Sequence, residues 1–283
     1  MTDCQIAELT DRGVIRVAGP DAPGFLQGLV TNDVEQATDS GAVYNGLLTP
    51  QGKILFDFFL VREGDGFLLD CARPVVADLV KRLTFYKLRA AVDLADESGE
   101  RTVLAAWNGV PAAGDGWVVF ADPRVAALGH RLIVPAGANA DATATEAEYH
   151  AHRIALGVPE GGRDYAFGDT FPHEAGFDQL GGVDFDKGCF VGQEVVSRME
   201  HRGTARKRVV PIEGAGTLDA GAEITADGAP IGTVGSVADA RALALVRLDR
   251  AEKALANGKT LDAGGVQVSL RQPDWASFDV PGG

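Results

Sequence analysis

The spacing of apolar side chains changes period along this chain, and each change marks an element. Val14, Ile15 and Val17 make a short strand of residues 14–17. Asp21 then opens a helix expected to run to about Val30, with Pro23 tolerated in its first turn. Residues 42–48 and 54–61 form a hairpin across Thr49-Pro50-Gln51-Gly52, and residues 67–71 add a strand after Gly64-Asp65-Gly66. From 74 to 87 the period is helical, with Val76, Leu79, Val80, Leu83 and Tyr86 on one face. Residues 88–94 read as the next strand.

Past a polar turn at 95–100, residues 102–107, 117–120 and 131–134 alternate as strands, and 136–145 is an Ala/Thr-rich loop. A helix over about 145–156 stops at Gly157, a residue suited to a left-handed C′ position. Val195, Val196 and Met199 recur at helical spacing, which places Gln193 and Glu194 in a first helical turn. Beyond Ala205 the pattern becomes short strands split by glycine-rich turns: 208–212, 222–225, 231–237, 242–248 and 266–270. That is the pattern of a small antiparallel barrel. Antiparallel hairpins mixed with helices predict an α+β fold, not a doubly wound sheet. There is no internal repeat.

Charge narrows the range of functions. The net charge is −14, which argues against a general nucleic-acid binder. Arg198, His201, Arg202, Arg206, Lys207 and Arg208 form one basic run. It is either a solvated face or a site for an anion: a polyglutamate tail, a phosphate or an acidic partner. No apolar run approaches the roughly 18–20 residues needed to cross a bilayer, so no membrane partner is expected. Cys4, Cys71 and Cys189 are odd in number and widely spaced, which predicts free thiols and a reducing cytoplasm. His130, His150, His152, His173 and His201 have no metal-ligand spacing, no metal site is expected, and no phosphate-binding glycine loop follows a strand.

Candidate chemistry concentrates in Lys187-Gly188-Cys189-Phe190-Val191-Gly192-Gln193-Glu194, with Arg198 beyond it. A thiol on a loop entering a helix, with Lys187 beside it, is a candidate for thiolate character. The alternative is an inert cysteine buried in a tight turn.

This octapeptide with Arg198 resembles the signature of the YgfZ family of folate-binding iron–sulfur maturation proteins, relatives of the glycine-cleavage T-protein, an aminomethyltransferase. The blocks Gly13-Val14-Ile15-Arg16-Val17, Thr31-Asn32-Asp33-Val34, Leu47 to Asp57 and Arg153 to Gly162 are similar to that superfamily as well, so the likeness covers nearly the whole chain. It implies two ferredoxin-like units, 1–95 and 96–204, and a barrel at 205–283, arranged around a central folate cavity. It also implies Cys189, Lys187 and Glu194 as chemical residues. Asp57, Asn32, Tyr44, Tyr86, Arg89, Gln193, Arg198 and Arg206 would hold tetrahydrofolate or a derivative. Iron–sulfur client or scaffold proteins are the implied partners. Two departures weigh against aminomethyl transfer: Phe56 stands in a T-protein aspartate pair, and Ala155 replaces a pterin-binding glutamate. The alternatives left open are a tetrahydrofolate-dependent transferase or demethylase and a folate-responsive interaction module. Asp57 itself is either a folate group or an exposed hairpin residue.

Overall fold

The computed structural model describes residues 4–203 and 205–283. In chain order the strands and helices are β1 (Gln5–Glu8), β2 (Arg12–Ala18), α1 (Ala22–Gln27), β3 (Val43–Leu48), β4 (Ile54–Glu63), β5 (Gly66–Ala72), α2 (Val76–Lys87), β6 (Asp93–Asp96), β7 (Arg101–Trp107), β8 (Val118–Ala121), β9 (His130–Pro135) and α3 (Glu146–Ala155). There follow α4 (Gln193–Arg202), β10 (Lys207–Gly214), β11 (Glu223–Ala226), β12 (Ala229–Ala238), β13 (Arg241–Arg247), α5 (Leu248–Ala256), β14 (Leu261–Ala263) and β15 (Val266–Leu270). Two compact units divide them. The first takes the residues to Tyr149 together with Leu180–Val195, and the second takes His150–Gln179 with Val196–Gly283.

The first unit holds a five-stranded antiparallel sheet in the order β3-β4-β5-β2-β6. Strand alternation gives it two unlike faces. On one, Ile15, Val17, Phe58, Leu60, Phe67 and Leu69 pack with Leu26 of α1 and Val76, Leu79 and Leu83 of α2 into an apolar core. Burying each such side chain contributes roughly 2 kcal/mol, so this face holds the helices in place. The other face carries Arg12, Asp57, Phe59 and Asp70, all buried. A second sheet, β1-β7-β9-β8, meets that face. Phe120 of β8 lies 6.2 Å from Phe59, and the Arg131 guanidinium of β9 stands 4.4 Å from the same ring.

Between the two sheets lies a lattice of buried charges. Asp70 accepts from Arg12 at 2.6 Å and from Arg131 at 3.0 Å. Arg131 also donates to the Tyr149 hydroxyl at 2.8 Å. Asp122 holds Arg124 in a forked pair, and those guanidinium groups keep its carboxyl below the usual range against the opposing effect of burial.

In the second unit, β10-β13-β12-β11-β14-β15 close into a six-stranded antiparallel barrel. Its core is filled by Val210, Ile212, Ile224, Val234, Val246, Leu261 and Leu270. Gly157 follows α3 with φ of 73°, as a left-handed C′ residue should, and an added Cβ there would strike Pro211 and Pro273. A register shift in β12 brings Gly235 and Ser236 against Asp164, whose carboxylate accepts from the Ser236 N–H at 2.7 Å and from Arg153 at 2.7 Å.

The α+β class and the carboxy-terminal barrel match the expectation; several boundaries differ. The helix expected to reach Val30 ends at Gln27, because the chain turns so that Val30 can bridge Leu47. Asp21 does not cap it. Its carboxylate accepts from the Ala91 N–H at 2.7 Å. The strand expected over 88–94 begins only at Asp93, since Leu88 terminates α2 with a positive φ of 45°. Three elements went unpredicted: β1, β14 and α5. β14 has three residues, too short for alternation to register. No helix among the described residues is long and apolar enough to cross a membrane.

Candidate functional site

The loop at 184–192 belongs to the first unit and is anchored through Asp184 and Lys187. Asp184 Oδ1 accepts from the Asp186 and Lys187 backbone N–H groups, and its Oδ2 accepts from Gln36 Nε2 at 3.0 Å. Lys187 turns inward. Its ammonium donates to the carbonyls of Gln27 at 3.0 Å, Val30 at 2.7 Å and Asn32 at 2.7 Å, where α1 and the following turn leave acceptors open. An ammonium has three donors, so these three carbonyls engage all of them. Burial pushes the Lys187 pKa down to about 8, while Asp33 and Asp184 pull it upward.

Phe190 is buried under the Lys187 ammonium, 5.6 Å from ring centroid to nitrogen. Gly192 has φ of 83°, and an added Cβ would lie 2.5 Å from the Thr49 carbonyl and 3.0 Å from Gly52 Cα. Gly52, with φ of 79°, meets Gly192 and Val195 from the other side. The turn of the β3–β4 hairpin and the loop's second glycine thus fit only as a pair of glycines. Gly188 is different: its φ is not positive, and an added Cβ would meet nothing within 4 Å.

Against this anchoring, Cys189 is exposed. The turn-buried alternative for this thiol is thereby corrected. Two features expected to favour its thiolate are differently arranged. Lys187 directs its donors at carbonyls, and α4 starts at Gln193, four residues after Cys189. Cys71 is buried, and burial pushes its thiol up to about 12; burial also raises Cys4, which is half-buried. Cys189 is the one exposed thiol among the described residues.

The residues expected to surround a folate separate into groups. Asn32, Tyr44 and Asp57 are drawn together in the first unit. Asn32 Nδ2 donates to the carbonyls of Gly181 at 2.6 Å and Tyr44 at 3.1 Å, and its Oδ1 accepts from the Asp33 N–H. The Tyr44 hydroxyl donates to Asp57 Oδ2 at 2.9 Å. Asp57 is only 4% exposed, so it is not a solvent-facing hairpin residue. Asn32, Tyr44, Gln36, Gly181 and Asp184 border an open depression of about 420 Å³ beside the loop. Tyr86 packs against the core on α2, and Arg89 is exposed beyond its end. Gln193 is half-buried, and Glu194, Arg198 and Arg206 are exposed; the two arginines lie in the second unit. Arg208 leaves the basic run, because it is buried in a forked pair with Asp178 at 2.9 Å.

Metal-capable groups also meet in the second unit, where His173, Asp178 and Glu200 place ligand atoms within 4.8 Å of one another. Asp178 already holds Arg208, and His173 Nε2 lies 3.0 Å from Glu200. Residues missed from sequence include Thr31, whose hydroxyl donates to the Gly182 carbonyl at 2.6 Å and accepts from the Gly46 N–H at 2.7 Å. Its only signal was its place in the amino-terminal block that includes Asn32.

Comparison with known proteins places this geometry. Residues 206–278 match the CAF17 C-terminal β-barrel domain. The human protein described as "Iron-sulfur cluster assembly factor IBA57, mitochondrial" is 31% identical, over 94% of this chain and 84% of its own length. Homologues of that factor in Neurospora crassa and Mycosarcoma maydis are 36% and 38% identical. The chain spans 56% and 57% of those two fungal relatives. The fold is that of the glycine cleavage system aminomethyltransferase T from Bartonella henselae, with a TM-score of 0.76 over 96% of this chain and 86% of that one, at 18% identity.

Proposed function

The chain belongs to the IBA57 family of iron–sulfur cluster assembly factors, and on that premise we propose that it serves cluster assembly or repair in client enzymes by presenting the Cys189 thiol to an iron–sulfur partner. One observation carries the reading. Asp184, Lys187 and Phe190 hold the loop in place, while Cys189 is exposed beside the unfilled space at Gly188. A loop built this way positions a thiol for a partner in the manner of a preorganised site. The clusters are cargo, and a reducing compartment such as the cytoplasm suits the exposed thiol.

Tetrahydrofolate is the proposed ligand, on the YgfZ-like character of the motif. Arg198 and Arg206 of the second unit have the exposed guanidinium groups that a glutamate tail requires. Asn32 and Tyr44 border the open depression, and these two and Asp57 already hydrogen-bond to neighbours, so they would serve as walls of a folate site and not as groups acting on the pterin. No chemical step is therefore assigned to the folate. Its binding is tested by thermal denaturation with tetrahydrofolate, which must raise the melting temperature if the native state binds it.

A second reading, tetrahydrofolate-dependent aminomethyl transfer, is favoured by the fold alone. Phe56 lies in the apolar core and Ala155 is exposed, where the transferase chemistry needs carboxylates. Deleting the gene and assaying several iron–sulfur enzymes together with glycine cleavage separates the two. Loss of cluster-enzyme activity with intact glycine cleavage is expected, and the reverse pattern would establish the transferase.

A further inference from the structure

We propose that the carboxy-terminal end of α2 is a docking surface for an acidic partner protein, one that seats an apolar side chain between its own carboxylates. Four large apolar side chains are exposed among the described residues, and two of them, Phe85 at 71% and Leu88 at 89%, lie three positions apart here. Isolated exposed apolar residues are ordinary, but Phe85 lines a depression of about 390 Å³ with Phe56 among its walls, and Leu88 follows one turn later. Leu88 sits at φ of 45°, where a bulky residue is rare and a helix end ordinarily uses glycine, and its side chain projects into solvent instead of packing.

The surrounding charge selects the partner. Lys81 and Arg82 line the depression and Arg89 follows it, all three exposed and none with a carboxylate within ion-pair distance among the described residues. Asp78 is the single acid lining the depression. The helix dipole accounts for Lys87 in the last turn, itself 4.0 Å from Asp93, but it does not account for Lys81 and Arg82 a turn earlier. In a chain with 40 acidic and 26 basic side chains, an unpaired basic cluster around exposed phenyl and leucyl groups complements an acidic surface with an apolar anchor. This surface is independent of what Cys189 does.

Fluorescence anisotropy of the full chain with a labelled glutamate-rich peptide bearing central leucines tests the proposal. Saturable binding is expected, weakened about tenfold by Lys81→Glu/Arg82→Glu and by about 0.5 M salt. Phe85→Ser should weaken it comparably with an unchanged melting temperature, whereas Val110→Ser, at another exposed apolar residue, should not. Absence of saturable binding, equal binding of an all-glutamate peptide, or indifference to Phe85→Ser overturns the proposal. Displacement of the peptide by tetrahydrofolate polyglutamate would also overturn it, because the occupant would then be a small molecule.

Discussion

The buried lattice between the two sheets and the loop around Cys189 are both dense in polar groups, yet they are opposite in kind. In the lattice, Arg12, Asp70, Arg131, Asp122 and Arg124 are all buried and satisfy one another. In the loop, Lys187 and Asp184 also satisfy neighbours, but the Cys189 thiol beside them stays exposed. Polar density alone therefore does not mark a reactive site. The difference is what remains exposed once the internal hydrogen bonds are made.

The lattice should give the largest response to mutation. Asp70→Ala strips the carboxylate from Arg12 and Arg131 in a site closed to water, and the expected loss of stability is about 3–5 kcal/mol. Urea denaturation measures it. A loss under about 1 kcal/mol would mean that the arginines find other partners, and the contrast between the regions would weaken.

The loop's own glycines sharpen the contrast. Gly192→Ala forces a side chain against the Thr49 carbonyl at a positive φ, with an expected loss of about 2–4 kcal/mol. Gly188→Ala meets no atom within 4 Å and should leave the melting temperature unchanged. Equal losses at both positions would contradict the division of the loop into an anchored and a presented side.

Lys187→Met removes the ammonium from three carbonyls, and relief of its buried charge offsets part of the loss, so about 1 kcal/mol is expected at neutral pH. The pH dependence is more telling. The native pKa of about 8 lies below the unfolded value of about 10.4, so between these values the unfolded chain binds more protons. Stability from this group therefore rises with pH through that window, by at most about 1.4 kcal/mol per unit, and its penalty is complete below about pH 8. Because other groups such as Cys71 titrate in both proteins, the readout is the difference: denaturation across pH 7 to 10.5 should show wild type gaining stability relative to Lys187→Met as pH rises from about 8.

Much of the architecture was legible because the period of apolar residues reports burial directly. The β3–β4 hairpin, α2 and most of the barrel followed from it. What failed depended on distant contacts: α1 stops early to let Val30 meet Leu47, and β1 exists because β7 offers an edge. The site followed the same rule. Cys189 was visible in its motif, but the inward turn of Lys187 was not, since its acceptors lie about 155–160 positions earlier in the chain. The same holds for Asp57, whose burial comes from a whole second sheet and not from its own strand.

The central claim is that the loop exists to present Cys189. Rescue of iron–sulfur enzyme activity in a deletion strain by Cys189→Ala tests it most directly, with Cys4→Ala and Cys71→Ala alongside. An exposed thiol should be removable at a stability change within about 0.5 kcal/mol, so the variant protein should accumulate normally. The account predicts that Cys189→Ala, folded and abundant, leaves the cluster enzymes inactive while Cys4→Ala restores them, and Cys71→Ala does so wherever that protein accumulates. Restoration by Cys189→Ala to the wild-type level would contradict it.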